Sequence, residues 1–526
     1  MTRHFRKWSW WLYHLLALGL LLYWVQIIQA TARWPSGDGP HILGTAARLA
    51  QLLKDGELTL FVHCFSSLLG PHPPFAYVLH TAGYLVGGSH PAAHLFGGVF
   101  VLMLSFNAFY RLKTPIIGFL WLISLSPVWL QAESAGIDLI AGAVALQSIS
   151  WLVVSHRLSK FKAVCGWGFW MGCAFMTKYT APLFLVGPCL IAAYWAIRYS
   201  RWNRVAQGFC AFCVVALPWW STHIRQVLGY VSMAGNSQSG LLTNKNIIDT
   251  PWYEYGNLSW YPAAAADAVG WMSIGFLVLA IGFSIVFARQ RTSQLTLMSS
   301  VLGGWLILNA QAQRQDRYLI PAYLPAAASL GLSVLKLPTS IIPLMLLKES
   351  TTIYSSHEPM PAERDYSHSV DTSGQSFPTP SSAYHPTAQD PSQWLVDEAL
   401  QKMRQYHGSD QGTLGFLLDE RNGAPGYGMM LSRSTALGYS WNIATVVMAQ
   451  PGPQAPQEKN RPSASIFVGP FWLGNWPSKD FTVLLSILEK QPSSKVTSWL
   501  RENKFEAAET WELPHNRLGI VYLKEQ

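Results

Sequence analysis

Hydrophobic residues in this chain come in long blocks rather than in short alternating runs. The blocks occupy approximately residues 8–30, 93–110, 115–131, 137–155, 164–177, 180–197, 205–221, 266–288, 296–312 and 318–335. A helix needs about 20 apolar residues to cross a bilayer core, so the pattern predicts a polytopic α-helical membrane protein of about 10–11 spans. A further block, 337–348, is of marginal length and is interrupted by Pro338 and Pro343. If it crosses, the chain beyond it is external; if it does not, that part is cytoplasmic.

The first two blocks are separated by a polar stretch, 31–92, which has a pattern of its own. Over 41–54, Ile42, Ala46, Leu49 and Leu53 share one face while Arg48, Gln51 and Lys54 lie off it. This spacing predicts a helix lying on a membrane or protein surface. The run 75–88 is too short to span and predicts an interfacial helix in the same loop.

After the blocks the pattern changes. Residues 350–392 are rich in Ser, Thr and Pro, which is linker composition. Residues 393–526 predict a soluble α/β domain, with helices at 393–406 and 480–490 and extended runs at 413–419, 443–449, 465–469, 505–512 and 518–524. Gly423 to Gly428 lacks the spacing of a phosphate-binding glycine loop.

Charge supplies the topology. Half of the 526 residues are apolar and 12% are charged, against about a quarter charged in a soluble domain. Residues 1–349 hold ten Asp or Glu and 23 Lys or Arg, whereas 350–526 hold 18 and 14. The basic residues cluster at Arg3/Arg6/Lys7, Arg111/Lys113, Arg157/Lys160/Lys162, Arg198/Arg201/Arg204, Arg289/Arg291 and Lys336, in every second connection. Cytoplasmic loops are enriched in Lys and Arg, so the amino terminus is expected in the cytoplasm. The net charge of +9 is therefore topological, and nucleic acid is excluded as a partner. The first block follows its basic cluster with no small-residue cleavage site and is expected to be a retained span. The six cysteines imply no disulfide framework, and Cys210-x-x-Cys213 reads as two small apolar residues on one helix face.

With this orientation the connections 31–92 and 222–265 are external, and the carboxylates before Glu349 all fall on that side: Asp38, Asp55, Glu57, Glu133, Asp138, Asp249, Glu254, Asp267 and Asp316. Such sidedness points to chemistry or ligand binding at the outer face. Asp38, in Gly37-Asp38-Gly39-Pro40, has the sequence of a helix start and equally of a general base at the membrane surface. Asp138 begins an apolar block, where a carboxylate is either a cap or a functional group. Glu133 is a weaker candidate. Lys178, Arg314 and Arg317 are external cations that break the charge rule; they snorkel or bind an anion, and guanidinium forks suit phosphate. Trp252, Tyr253, Tyr255, Trp260 and Tyr261 suit an interface belt or a platform for a sugar.

Taken in order, Asp38, Pro73-Pro-Phe-Ala-Tyr77, Asp138, Gly172-Cys-Ala-Phe-Met-Thr177-Lys178 and Arg317-Tyr-Leu-Ile-Pro-Ala-Tyr-Leu-Pro325 resemble the polytopic glycosyltransferases of the GT-C class. Within that class they resemble the protein mannosyltransferase and aminoarabinose transferase group. The resemblance covers about residues 8–335. It implies transfer of a sugar from a polyprenyl-phosphate carrier to a lipid, glycan or protein acceptor on the outer face, with inversion. On that resemblance Asp38 is the base, Asp138 supports the site, and Lys178, Arg314, Arg317 and His72 are candidates to hold the donor phosphate. The chain departs from the group at Gly39, where a second acid is common, and at Pro71-His72, where an acidic-basic pair is common. With so few carboxylates a tightly bound divalent metal is not expected. The rival readings are a transporter or flippase and a non-catalytic polyprenyl-lipid-binding protein.

Overall fold

The computed structural model describes residues 39–67, 72–87, 90–114, 116–125, 136–235, 291–309, 316–334, 395–418, 437–448, 466–468, 482–488, 494–513 and 517–525, with a few isolated positions besides. Its first part is helical: α1 Gly39–Lys54, α2 Leu58–Ser67, α3 Phe75–Gly87, α4 His90–Leu112, α5 Ile116–Ser124, α6 Ile137–Val154, α7 Phe161–Phe175, α8 Val186–Arg198, α9 Trp202–Gly235, α10 Arg291–Asn309 and α11 Ile320–Val334. Short 3-10 turns, Ala181–Leu185 and Asp316–Leu319, precede α8 and α11.

Ile137–Val154, Ala181–Arg198 and Trp202–Arg225 are, among the described residues, long and apolar enough to cross a membrane. They occupy different layers. Every residue of α6 from Ile137 to Ser150 is buried, so α6 is the axis of the bundle. In contrast, α9 exposes Phe209, Val214, Leu217, Ile224 and Leu228, a density of apolar surface that belongs against hydrocarbon. The fold is that of a helical membrane protein.

Close helix approach depends on small residues. A Cβ on Gly168 of α7 would lie 1.8 Å from the carbonyl oxygen of Gly208 of α9, so neither backbone leaves room for a side chain at this crossing. On the other side of the axis, a Cβ on Gly142 would come within 2.9 Å of Pro321 Cα, which sets the start of α11 against the start of α6. Deeper in the bundle, Gln147 Nε2 donates to Asn107 Oδ1 (3.0 Å) and Arg111 to Ser150 Oγ (2.8 Å), with the guanidinium 3.9 Å above the Trp151 ring. These polar groups join α4 to α6.

Among the helices, three expectations change. The helix 39–54 forms, but Arg48 is buried rather than presented to solvent. The block 205–221 extends into a helix of 34 residues reaching Gly235, with Pro218 inside it. It therefore takes up the first part of the segment expected to be an external loop. Trp252, Tyr253, Tyr255 and Trp260 lie outside the described residues, while Tyr261 is buried in the bundle core.

The carboxyl-terminal part is α/β. Its sheet has six strands in the order β3-β2-β1-β4-β6-β5, formed by β1 Gln411–Leu418, β2 Ser440–Met448, β3 Ile466–Val468, β4 Val483–Leu488, β5 Phe505–Leu513 and β6 Arg517–Lys524. The central strand β1 runs parallel to β2 and β4, and the outer pairs are antiparallel. Helices α12 Val396–His407 and α13 Ser494–Glu502 complete it. Residues 480–490 were expected to be helical; the structure has strand β4 there. Val483, Leu484, Leu485 and Ser486 are consecutive buried residues, and a strand covered on both faces has no alternation to separate it from a buried helix.

Candidate active site

The site forms where four separate pieces of the chain reach one end of α6. Asp138 lies in the first turn of α6, behind an extended Gly136, where the helix dipole favours a carboxylate. Lys178 is carried by the turn after α7. That turn is fixed from within: Thr177 Oγ1 donates to Cys173 O (2.7 Å) and the Met176 amide to Gly172 O (3.0 Å). The two motifs meet, with Lys178 Nζ 2.7 Å from Asp138 Oδ1 and the side chains 6% and 1% exposed. The ring of Tyr318, in the turn before α11, has its centroid 5.0 Å from the same ammonium.

The fourth piece comes from the polar stretch 31–92. Phe75 donates its amide to Met176 O (2.8 Å), so the Pro73-Pro74-Phe75 segment is joined by backbone to the Lys178 turn. Pro73 and Pro74 are buried, and Tyr77 is in the core of the bundle. The His72 ring has its centroid 6.4 Å from that of Tyr179. On the opposite flank, Trp220 Nε1 donates to Phe175 O (3.3 Å), and Trp219 stacks on His223 with centroids 4.5 Å apart.

Of the residues singled out from sequence, Asp138, Lys178 and His72 are therefore brought to one place. Asp38, Glu133, Arg314 and the side chain of Arg317 lie outside the described residues. Lys178 and Asp138, expected as separate groups, form a buried ion pair. Among the described residues, Asp138 Oδ2 is buried with no hydrogen-bond partner. Tyr318 and Tyr179 had no assigned role; their only signal was adjacency to Arg317 and Lys178. Among the described residues, no three His, Cys, Asp or Glu side chains gather as a metal site.

No protein-family profile matches the chain, and no curated protein matches it. Solved structures do. ArnT from Cupriavidus metallidurans bound to undecaprenyl phosphate aligns over 97% of this chain and 97% of its own, with a TM-score of 0.61 at 11% identity. The fold is GT-C-like. ArnT from the same organism in the apo state aligns over 96% of this chain and 98% of its own, with a TM-score of 0.55 at 15% identity. Because the alignment runs nearly end to end, the ArnT-like fold takes in the carboxyl-terminal domain as well as the helices.

Proposed function

We propose that the protein transfers a sugar from a polyprenyl-phosphate donor to a lipid, glycan or protein acceptor on the extracytoplasmic face, with inversion at the anomeric carbon. The observation that carries this reading is the buried Lys178–Asp138 pair, built from the turn after α7 and joined to the external loop at Phe75. It is supported by a shared fold with a protein whose structure holds undecaprenyl phosphate.

Each residue has a stated task. The bond that breaks lies between the anomeric carbon and the phosphate oxygen, so negative charge grows on the leaving phosphate. Fixed cations stabilise that charge best where water is excluded. Lys178 is such a cation, and its bond to Asp138 fixes where the ammonium stands. Arg314, Arg317 and His72 are the further phosphate ligands. Asp38 takes the proton from the acceptor as the new bond forms. In this reading the amino terminus is cytoplasmic, segment 337–348 crosses the membrane, and residues 393–526 stand on the same outer side as the loop 31–92.

The test is direct. Purified protein in lipid nanodiscs is incubated with a panel of labelled undecaprenyl-phosphate sugars and membrane extract, and release of undecaprenyl phosphate is measured. Release with one donor supports transfer. Binding of undecaprenyl phosphate with no release from any donor points instead to a lipid-binding protein.

A further inference from the structure

Three separate apolar clusters each take residues from α1. Ile42 belongs to the core of the helical bundle. Leu49 and Leu52 pack with Phe61 and Phe65 of α2. Leu43, Ala46, Ala47 and Ala50 belong to one cluster with Val396, Leu400 and Trp441 of the carboxyl-terminal domain. Residues 42–50 are all buried, Thr45 and Arg48 included. One face of α1 is thus closed by a cluster that the carboxyl-terminal domain shares with Tyr84 of α3 and Ala93 of α4.

From α1 the contacts run on to the site. Thr81 Oγ1 of α3 donates to Ala46 O, and Lys54 Nζ donates to Tyr84 O, both at 3.4 Å. Helix α3 begins at Phe75, whose amide is bonded to Met176, two residues before Lys178. We propose that the carboxyl-terminal domain is a positioning element of the candidate site: through α1 and α3 it holds the Pro73–Phe75 segment against the turn that carries Lys178. The mechanical coupling stands by itself; only its effect on lipid binding rests on the reading of that turn as the donor site.

The test uses the full chain with a protease sequence inserted within 350–392. After cleavage, the fragment 393–526 stays with the rest, and it also stays in Ala47→Ser. In Ala47→Glu, or in Ala47→Glu/Ala50→Glu, it leaves. Amide exchange at Phe75 to Leu79 then quickens by about tenfold or more as the restraint is lost, while the amides of α6 are unchanged. Affinity for undecaprenyl phosphate falls by about tenfold, the loss expected when a site is no longer preorganised. Departure of the unmutated fragment, its retention in the double variant, or unchanged exchange at Phe75 after it has left overturns the proposal. If the uncut chain binds no undecaprenyl phosphate, the donor-site reading fails, and the exchange result still decides the coupling.

Discussion

The ammonium of Lys178 lies 2.7 Å from Oδ1 of Asp138, and neither side chain has more than a trace of solvent exposure. A buried pair of this kind returns little net stability, because each ion has lost its hydration. Removing one partner is another matter. Asp138→Asn or Lys178→Met should each cost about 3–5 kcal/mol by leaving an uncompensated charge or its orphaned partner. The double substitution should recover much of that loss in a thermal melt yet remain inactive in the undecaprenyl phosphate release assay. Activity in the double variant would remove the pair from the mechanism.

Asp38→Asn should lower turnover by about 100-fold or more, the scale of a lost general base, and leave the affinity for undecaprenyl phosphate unchanged. Near-normal turnover would reassign Asp38 to its other role as a helix start.

His72→Ala should act on the other term. His72 packs beside Tyr179, next to Lys178, so its loss should raise the KM for the donor several-fold with kcat kept within about twofold. A fall in kcat alone would remove it from the phosphate set.

His80 predicts an acid limit to stability. The ring is fully buried between α3 and α4, with Nδ1 donating to Ala93 O at 3.0 Å, and burial pushes its pKa down to about 4. The unfolded chain, with a histidine near 6.5, takes up the proton first as the pH falls. The stabilisation is therefore complete above about pH 6.5 and is lost as the pH falls toward 4, at up to about 1.4 kcal/mol per pH unit. Melting temperatures from pH 7.5 to 4.5 should fall for the native chain, and the slope should be shallower in His80→Gln.

Gly168→Ala places a methyl group on the Gly208 carbonyl and should cost about 1–3 kcal/mol, as overpacking does. Gly275→Ala, where nothing among the described residues lies within 4 Å, is the control and should be neutral or stabilising by up to about 1 kcal/mol. Equal melting temperatures for the two would mean that α7 and α9 can separate without loss.

The helical part was legible because a bilayer demands long apolar blocks, and α6, α7 and α11 lie within a few residues of the predicted ones. Asp138 and Lys178 were legible one at a time, as charges where charge is costly. Their pairing was not: they are 40 residues apart and on different helical units, and no local pattern links them. Arg48 was misplaced for the same reason. Its spacing is that of a polar face, and its burial depends on tertiary packing that the helix period does not carry. The 480–490 segment failed differently, since an apolar run buried on both sides carries no period to read.

Helix α9 is also a ruler. It begins at Trp202, beside the basic residues Arg201 and Arg204, and Trp220, whose indole caps Phe175, comes 18 positions later. At about 1.5 Å per residue that is about 27 Å, close to the roughly 30 Å depth of the hydrocarbon. The turn that carries Lys178 therefore lies one bilayer depth from the basic end of α9, at the height where lipid headgroup phosphates ride. On the proposed function, a donor phosphate anchored in that headgroup layer meets Lys178 without being lifted out of its plane, and the thickness of the surrounding membrane becomes a variable that sets how well the two are matched.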